Sequence, residues 1–270
     1  MNSKFFRKKI ITPFAIFGGV CTAVLFQLFA LVLLSLPVRP ANGAVPDTEK
    51  QALVELYNET NGEYWAVDWA DDPDWPDNDP CVDGWPGISC NPEDTHVTGI
   101  LLDNNYLHGS LDNLSLFANL SQVNYLDLSH NELSGSLNTL TALSALQTLR
   151  LHNNLLQGSV PSFSGQTGLR ELYLHNNLLT GPVPFFSGLQ QLLALRLDNN
   201  QLGGAIPPQL ASLSNLQLLQ LHSNSLTGSI PPELGQLQQL RTLYLQDNAL
   251  SGAIPPQLGN LSLLQGLALD

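Results

Sequence analysis

Leu149-Arg150-Leu151-His152-Asn153-Asn154-Leu155-Leu156-Gln157-Gly158-Ser159-Val160-Pro161 is the stretch that decides the fold. Two near copies, residues 219–231 and 243–255, end in Leu-x-Gly-x-Ile-Pro. The asparagine at its centre recurs as Asn105, Asn131, Asn154, Asn177, Asn200, Asn224 and Asn248, at spacings of 26, 23, 23, 23, 24 and 24 residues. A fixed period in the twenties with this leucine pattern marks a solenoid of stacked coils. One coil cannot bury its apolar edge alone, so each packs only on its neighbours. In Leu-x-Leu the leucines point into the stack and the residue between them points out, because side chains alternate along a strand. The asparagine turns inward, where its amide both donates and accepts; a carboxylate cannot donate. The expected fold is an α/β repeat solenoid with a parallel concave sheet of eight strands and short 3₁₀ or α turns on the convex side.

Charge divides the chain. Five of its ten basic residues (Lys4, Arg7, Lys8, Lys9, Arg39) precede residue 45, where no acid occurs. Beyond it, 23 acids face five basics, a net of −18. Such a body repels phosphate backbones, which excludes nucleic acid as a partner. Residues 10–38 carry no charge and follow a basic cluster, so residues 1–44 read as a cleaved signal peptide or as an uncleaved signal anchor holding the protein to a membrane. Both place the remainder outside the cell, secreted or surface-anchored. Cys81 and Cys90 are then an even pair in an exported body, and a disulfide is the natural reading.

Residues 45–96 are a non-repetitive cap. Thr48 with Gln51 three residues on has the form of a capping box, followed by Ala52, Leu53, Leu56 and Tyr57 at helical spacing, which predicts a helix over 48–58. Trp65, Trp69, Trp75 and Trp85 then alternate with aspartates whose order fits no calcium loop, so a solvated acidic loop is expected. The tryptophans read as lids over the first coil rather than as a sugar platform.

Asp79-Pro80-Cys81, followed by Trp85-Pro86-Gly87-Ile88-Ser89-Cys90, resembles the N-terminal cap of extracellular leucine-rich-repeat proteins. The coils are similar to the plant-type class, which includes receptor-kinase ectodomains and polygalacturonase-inhibiting proteins. The stretch from Leu56 to Trp65 is closer to caps of bacterial and protist repeat proteins. The resemblance implies a leucine-rich-repeat horseshoe over residues 97–270, about 7.5 coils with no C-terminal cap, and a ligand on its concave face. The end at Asp270 reads as a fragment boundary or an exposed edge.

Outward positions therefore carry the functional reading. Between the leucines stand, coil by coil, Leu101, Asp127, Arg150, Tyr173, Arg196, Gln220, Tyr244 and Ala268. Two residues on stand Asp103, Ser129, His152, His175, Asp198, His222, Gln246 and Asp270. Arginine and tyrosine are enriched at binding hot spots. We expect Arg150, His152, Tyr173, His175, Arg196, Asp198, Gln220, His222 and Tyr244 to meet a protein or peptide ligand. Arg241 also falls beside the sheet. The competing reading is a secreted or anchored inhibitor or adhesion protein binding carbohydrate or a cell-wall enzyme. No catalytic motif appears, no cofactor is implied, and His152 with His175 lacks a third metal ligand. Asn58, Asn113, Asn119 and Asn260 begin glycosylation sequons. Gln166 stands where a buried leucine is expected, which predicts a loose convex face over 163–168. Arg196→Glu with Tyr173→Ala should abolish capture without loss of stability.

Overall fold

The computed structural model describes residues 43–270, and the apolar segment 10–38 lies outside them. Nine strands form one sheet in simple sequential order. They are β1 (Ile88–Cys90), β2 (Val97–Leu101), β3 (Tyr125–Asp127), β4 (Thr148–Arg150), β5 (Glu171–Tyr173), β6 (Ala194–Arg196), β7 (Leu218–Gln220), β8 (Thr242–Tyr244) and β9 (Gly266–Ala268). The eight from β2 onward pair in parallel, as the repeat demands. The ninth strand, β1, was not expected. It comes from the cap and pairs antiparallel with β2, so the cap covers what would otherwise be a bare sheet edge.

The sequence reading also missed a second sheet. Gln157–Ser159, Leu178–Pro182, Gln201–Ala205, Ser225–Gly228 and Ala249–Leu250 pair in parallel along one flank. It arises where the chain leaves the concave side through Leu-x-Gly. At Gly158, Gly181, Gly204 and Gly228 φ lies between 78° and 80°, a bend that favours a residue without Cβ. On the convex side Pro208–Ser212, Pro232–Gln236 and Pro256–Asn260 are single 3₁₀ turns, each entered through proline.

The core is a column of leucines. Leu149, Leu151, Leu172, Leu174, Leu195, Leu197, Leu219, Leu221, Leu243 and Leu245 are fully buried, each worth roughly 1.5–3 kcal/mol over exposure. The ladder asparagines tie successive coils together. Asn177 donates through Nδ2 to the carbonyls of Leu151 (3.0 Å) and Leu174 (3.0 Å), and accepts at Oδ1 from the Leu156 amide (3.0 Å). Asn154, Asn200, Asn224 and Asn248 repeat this pattern. Asn131 keeps the pattern, donating to the Leu102 and Leu128 carbonyls and accepting from the Leu107 amide, and also accepts from the Asn105 amide. Asn105 accepts from Val67 of the cap, at 2.7 Å, in place of a preceding coil.

In the cap, helix α1 spans Asp47–Glu59. The expected capping box does not form. Pro46 is the N-cap and no side chain caps the helix. Glu49 is buried instead, accepting from the Val97 amide (2.8 Å) and meeting His96 Nδ1 (2.7 Å), which pins α1 to β2. Trp65, Trp69 and Trp85 are buried and pack with Tyr57 and Trp75 over the first coil. The acidic loop is not merely solvated. Asp79 accepts from the amides of Val45, Cys81 and Val82, and Asp68 from the Tyr57 hydroxyl and the Ala70 amide. Cys81 and Cys90 form the expected disulfide, joining the short helical turn Pro80–Gly84 to β1.

Gln166, the residue expected to loosen the convex face, is packed into it, with Nε2 paired and Oε1 without a protein partner. Its side chain is fully buried and Nε2 donates to the Thr141 carbonyl at 2.6 Å. The amide fills the leucine slot and bonds back to the preceding coil.

Candidate functional site

Strand register sets the outward columns. Leu101, Asp127, Arg150, Tyr173, Arg196, Gln220, Tyr244 and Ala268 pair rung by rung, adjacent strands being about 4.8 Å apart. Beside this column runs Gly99, Tyr125, Thr148, Glu171, Ala194, Leu218, Thr242 and Gly266 in the same register.

At its centre Arg150 lies between two tyrosines, its Cζ 5.5 Å from the ring centroids of both Tyr125 and Tyr173. Its guanidinium donates to the Tyr125 hydroxyl (2.8 Å) and to Glu171 Oε2 (2.7 Å), with Asp127 at 3.7 Å. Arg196 grips Asp198 with two bonds, Nε to Oδ1 at 3.1 Å and Nη2 to Oδ2 at 3.0 Å. Asp198 is fully buried and also accepts from Asn199, with His222 Nε2 at 3.5 Å. Both arginines are thus neutralised within the face.

His152 and His175 stack at 4.4 Å between centroids, and His130 meets His152 edge-on at 5.0 Å. Burial lowers the pKa of His175 to about 4, helped by the Arg196 charge. Burial, with His130 beside it, also lowers that of His152. The pair is neutral at pH 7 and gives the face an aromatic rather than a charged middle.

Of the expected contact residues, Arg150, His152, Tyr173, Arg196, Gln220, His222 and Tyr244 are half-buried on the concave face. His175 and Asp198 are buried beneath their neighbours, at 6% and 0% exposure. The sequence reading left out Tyr125 and Glu171, the two partners of Arg150. Their signal was the column beside the main one, where Tyr125 and Glu171 flank Arg150 on adjacent rungs. Arg196 also proves unsuited to charge reversal, since a glutamate there would face buried Asp198. The sequons Asn58, Asn113 and Asn260 are exposed and Asn119 is half-exposed.

A family model described as Leucine Rich Repeat matches residues 168–189, 191–213, 215–237 and 239–261. The stacked coils are leucine-rich repeats. It is 35% identical over 112 residues to a probable inactive receptor kinase of Arabidopsis thaliana, covering 41% of this chain and 10% of that protein. It is 34% identical over 126 residues to the LRR receptor-like serine/threonine-protein kinase GHR1 of the same plant, covering 45% of this chain and 11% of the kinase. Among solved structures, PEPR1 bound to AtPEP1 superposes with a TM-score of 0.72 at 28% identity, covering 83% of this chain and 31% of that one. The Arabidopsis HAESA ectodomain with an IDA peptide hormone gives 0.69 at 29% identity, covering 81% and 36%. This leucine-rich-repeat chain therefore spans about a tenth of its curated relatives and about a third of these ectodomains.

Proposed function

We propose that this chain is an exported, receptor-ectodomain-like binding module that holds an extended peptide or protein segment on its concave face. The observation that carries the reading is the column Arg150–Tyr173–Arg196–Gln220–Tyr244. It presents half-buried tyrosine, arginine and glutamine side chains on consecutive rungs of one parallel sheet. Eight rungs span roughly 35 Å, the length of about ten extended residues. Similarity to ectodomains solved with peptide ligands supports this choice of ligand class. Extracellular placement rests on the expected export segment and is consistent with the cap disulfide. Sugar stacking draws no support from the tryptophans, because Trp65, Trp69 and Trp85 are buried in the cap.

Displayed ten-residue peptides selected on the full chain test this reading. Binders should weaken about tenfold or more on a Tyr173→Ala, Tyr244→Ala double variant, since aromatic anchors dominate such surfaces. They should be unaffected by Gln236→Arg on the convex side. Equal binding to the double variant would contradict the concave-face reading.

A further inference from the structure

Beyond residue 44 the chain has five basic side chains, and the structure accounts for three of them. Arg150 is held by Glu171 and Tyr125, Arg196 by Asp198, and Lys50 donates to the Asp77 carbonyl at 3.2 Å. Among the described residues, Arg170 and Arg241 form no ion pair and no side-chain hydrogen bond, and both are exposed.

The two lie in one column. Each precedes a concave strand, Arg170 before β5 and Arg241 before β8. A ladder of backbone bonds links them: Leu193 N to Arg170 O, Gln217 N to Leu193 O, and Arg241 N to Gln217 O, each 2.8 Å. Three rungs separate them, about 14 Å at the usual strand spacing. An extended chain covers that distance in about four residues. The column has no acid along the sheet; Asn124, Gln147, Leu193, Gln217 and Gln265 are its other members from β3 onward.

We propose that Arg170 and Arg241 are the cations that capture the ligand, and that the ligand is an extended peptide bearing two carboxylates four residues apart. This rests on the concave-face reading and extends it to the rim where the chain enters the strands, since Arg170 and Arg241 lie one residue before the outward positions of β5 and β8. Arg150 and Arg196 already have carboxylate partners inside the protein, so a ligand carboxylate would have to displace Glu171 or buried Asp198 to reach them. Arg170 and Arg241 offer unfilled donors without any rearrangement. The net −18 body repels the same peptide elsewhere, so two arginines suffice to fix one register.

The test uses displayed ten-residue peptides selected on the full chain, then synthesised and titrated. Enriched sequences should carry Asp or Glu at positions i and i+4. Arg170→Gln and Arg241→Gln should each weaken binding about threefold, and the double variant about tenfold, as exposed charge pairs do. Moving the acids to i and i+2 should abolish the double variant's extra effect. Because neither arginine has a partner, both variants should unfold at the wild-type urea midpoint. Binders that weaken on Tyr244→Ala yet ignore the arginine pair overturn this inference and leave the concave face standing. Binders indifferent to both, or no enrichment at all, overturn both.

Discussion

Asn177 shows how much one side chain carries. Its amide closes bonds to two coils at once, which explains why asparagine and not aspartate recurs at every turn. Asn177→Asp is expected to cost about 3 kcal/mol, since it removes donors from buried carbonyls and buries a charge. A lower urea midpoint at unchanged m checks this. The residue before each ladder asparagine has its own constraint. Asn104, His130, Asn153, Asn176, Asn199, Ser223 and Asp247 all have φ between 50° and 56°. Asparagine tolerates that region and serine does so less well. Ser223→Asn should therefore raise stability by about 0.5 kcal/mol, read as a higher melting temperature. Arg196→Glu should cost about 3 kcal/mol, because a second carboxylate would face buried Asp198. His175 and His152 set a pH dependence. Their folded pKa values lie below the unfolded value near 6.5, that of His175 at about 4, so as pH falls below about 6.5 the unfolded chain binds more protons and stability falls. The His175 share of the loss is complete once pH lies well below its folded value of about 4. A His152→Gln, His175→Gln variant should lose on the order of 1 kcal/mol less than wild type between pH 7.5 and 4.5.

At the scale of elements, the cap is where structure departs most from what the residues announced. Leucine spacing was legible because burial imposes it, and the disulfide because both cysteines had no other partner. Strand β1 was not legible: Ile88-Ser89-Cys90 is too short for an alternation signal and pairs only because β2 offers an open edge. The flank sheet escaped for a related reason, since Leu-x-Gly reads as a bend before it reads as a strand. The outward columns followed directly from the repeat, yet which of their charges are spent internally depends on side-chain reach, as Arg150 and Glu171 show. Reduction of Cys81–Cys90 should free β1 and lower cap stability by about 2–3 kcal/mol. Hydrogen exchange should quicken at residues 88–101 and remain slow at β5 to β7. Unchanged protection at β2 would show that pairing with β1 does not depend on the disulfide.

At the scale of the described residues, stacked coils present one continuous sheet whose outward face is charge-paired and aromatic, while the chain beyond residue 44 is strongly acidic. Self-repulsion of the −18 body is screened within about 8 Å at physiological salt. Raising ionic strength from 0.05 M to 0.5 M should lift the melting temperature by a few degrees. The central claim is that a ligand lies along the concave face, and photo-cross-linking tests it most directly. A selected peptide carrying a benzophenone at successive positions, irradiated on the full chain and digested, should leave adducts on fragments containing Arg150–His152, Tyr173, Arg196, Gln220–His222 and Tyr244. Adducts confined to the convex turns Pro208–Ser212 and Pro232–Gln236, or to the flank strands, would contradict it.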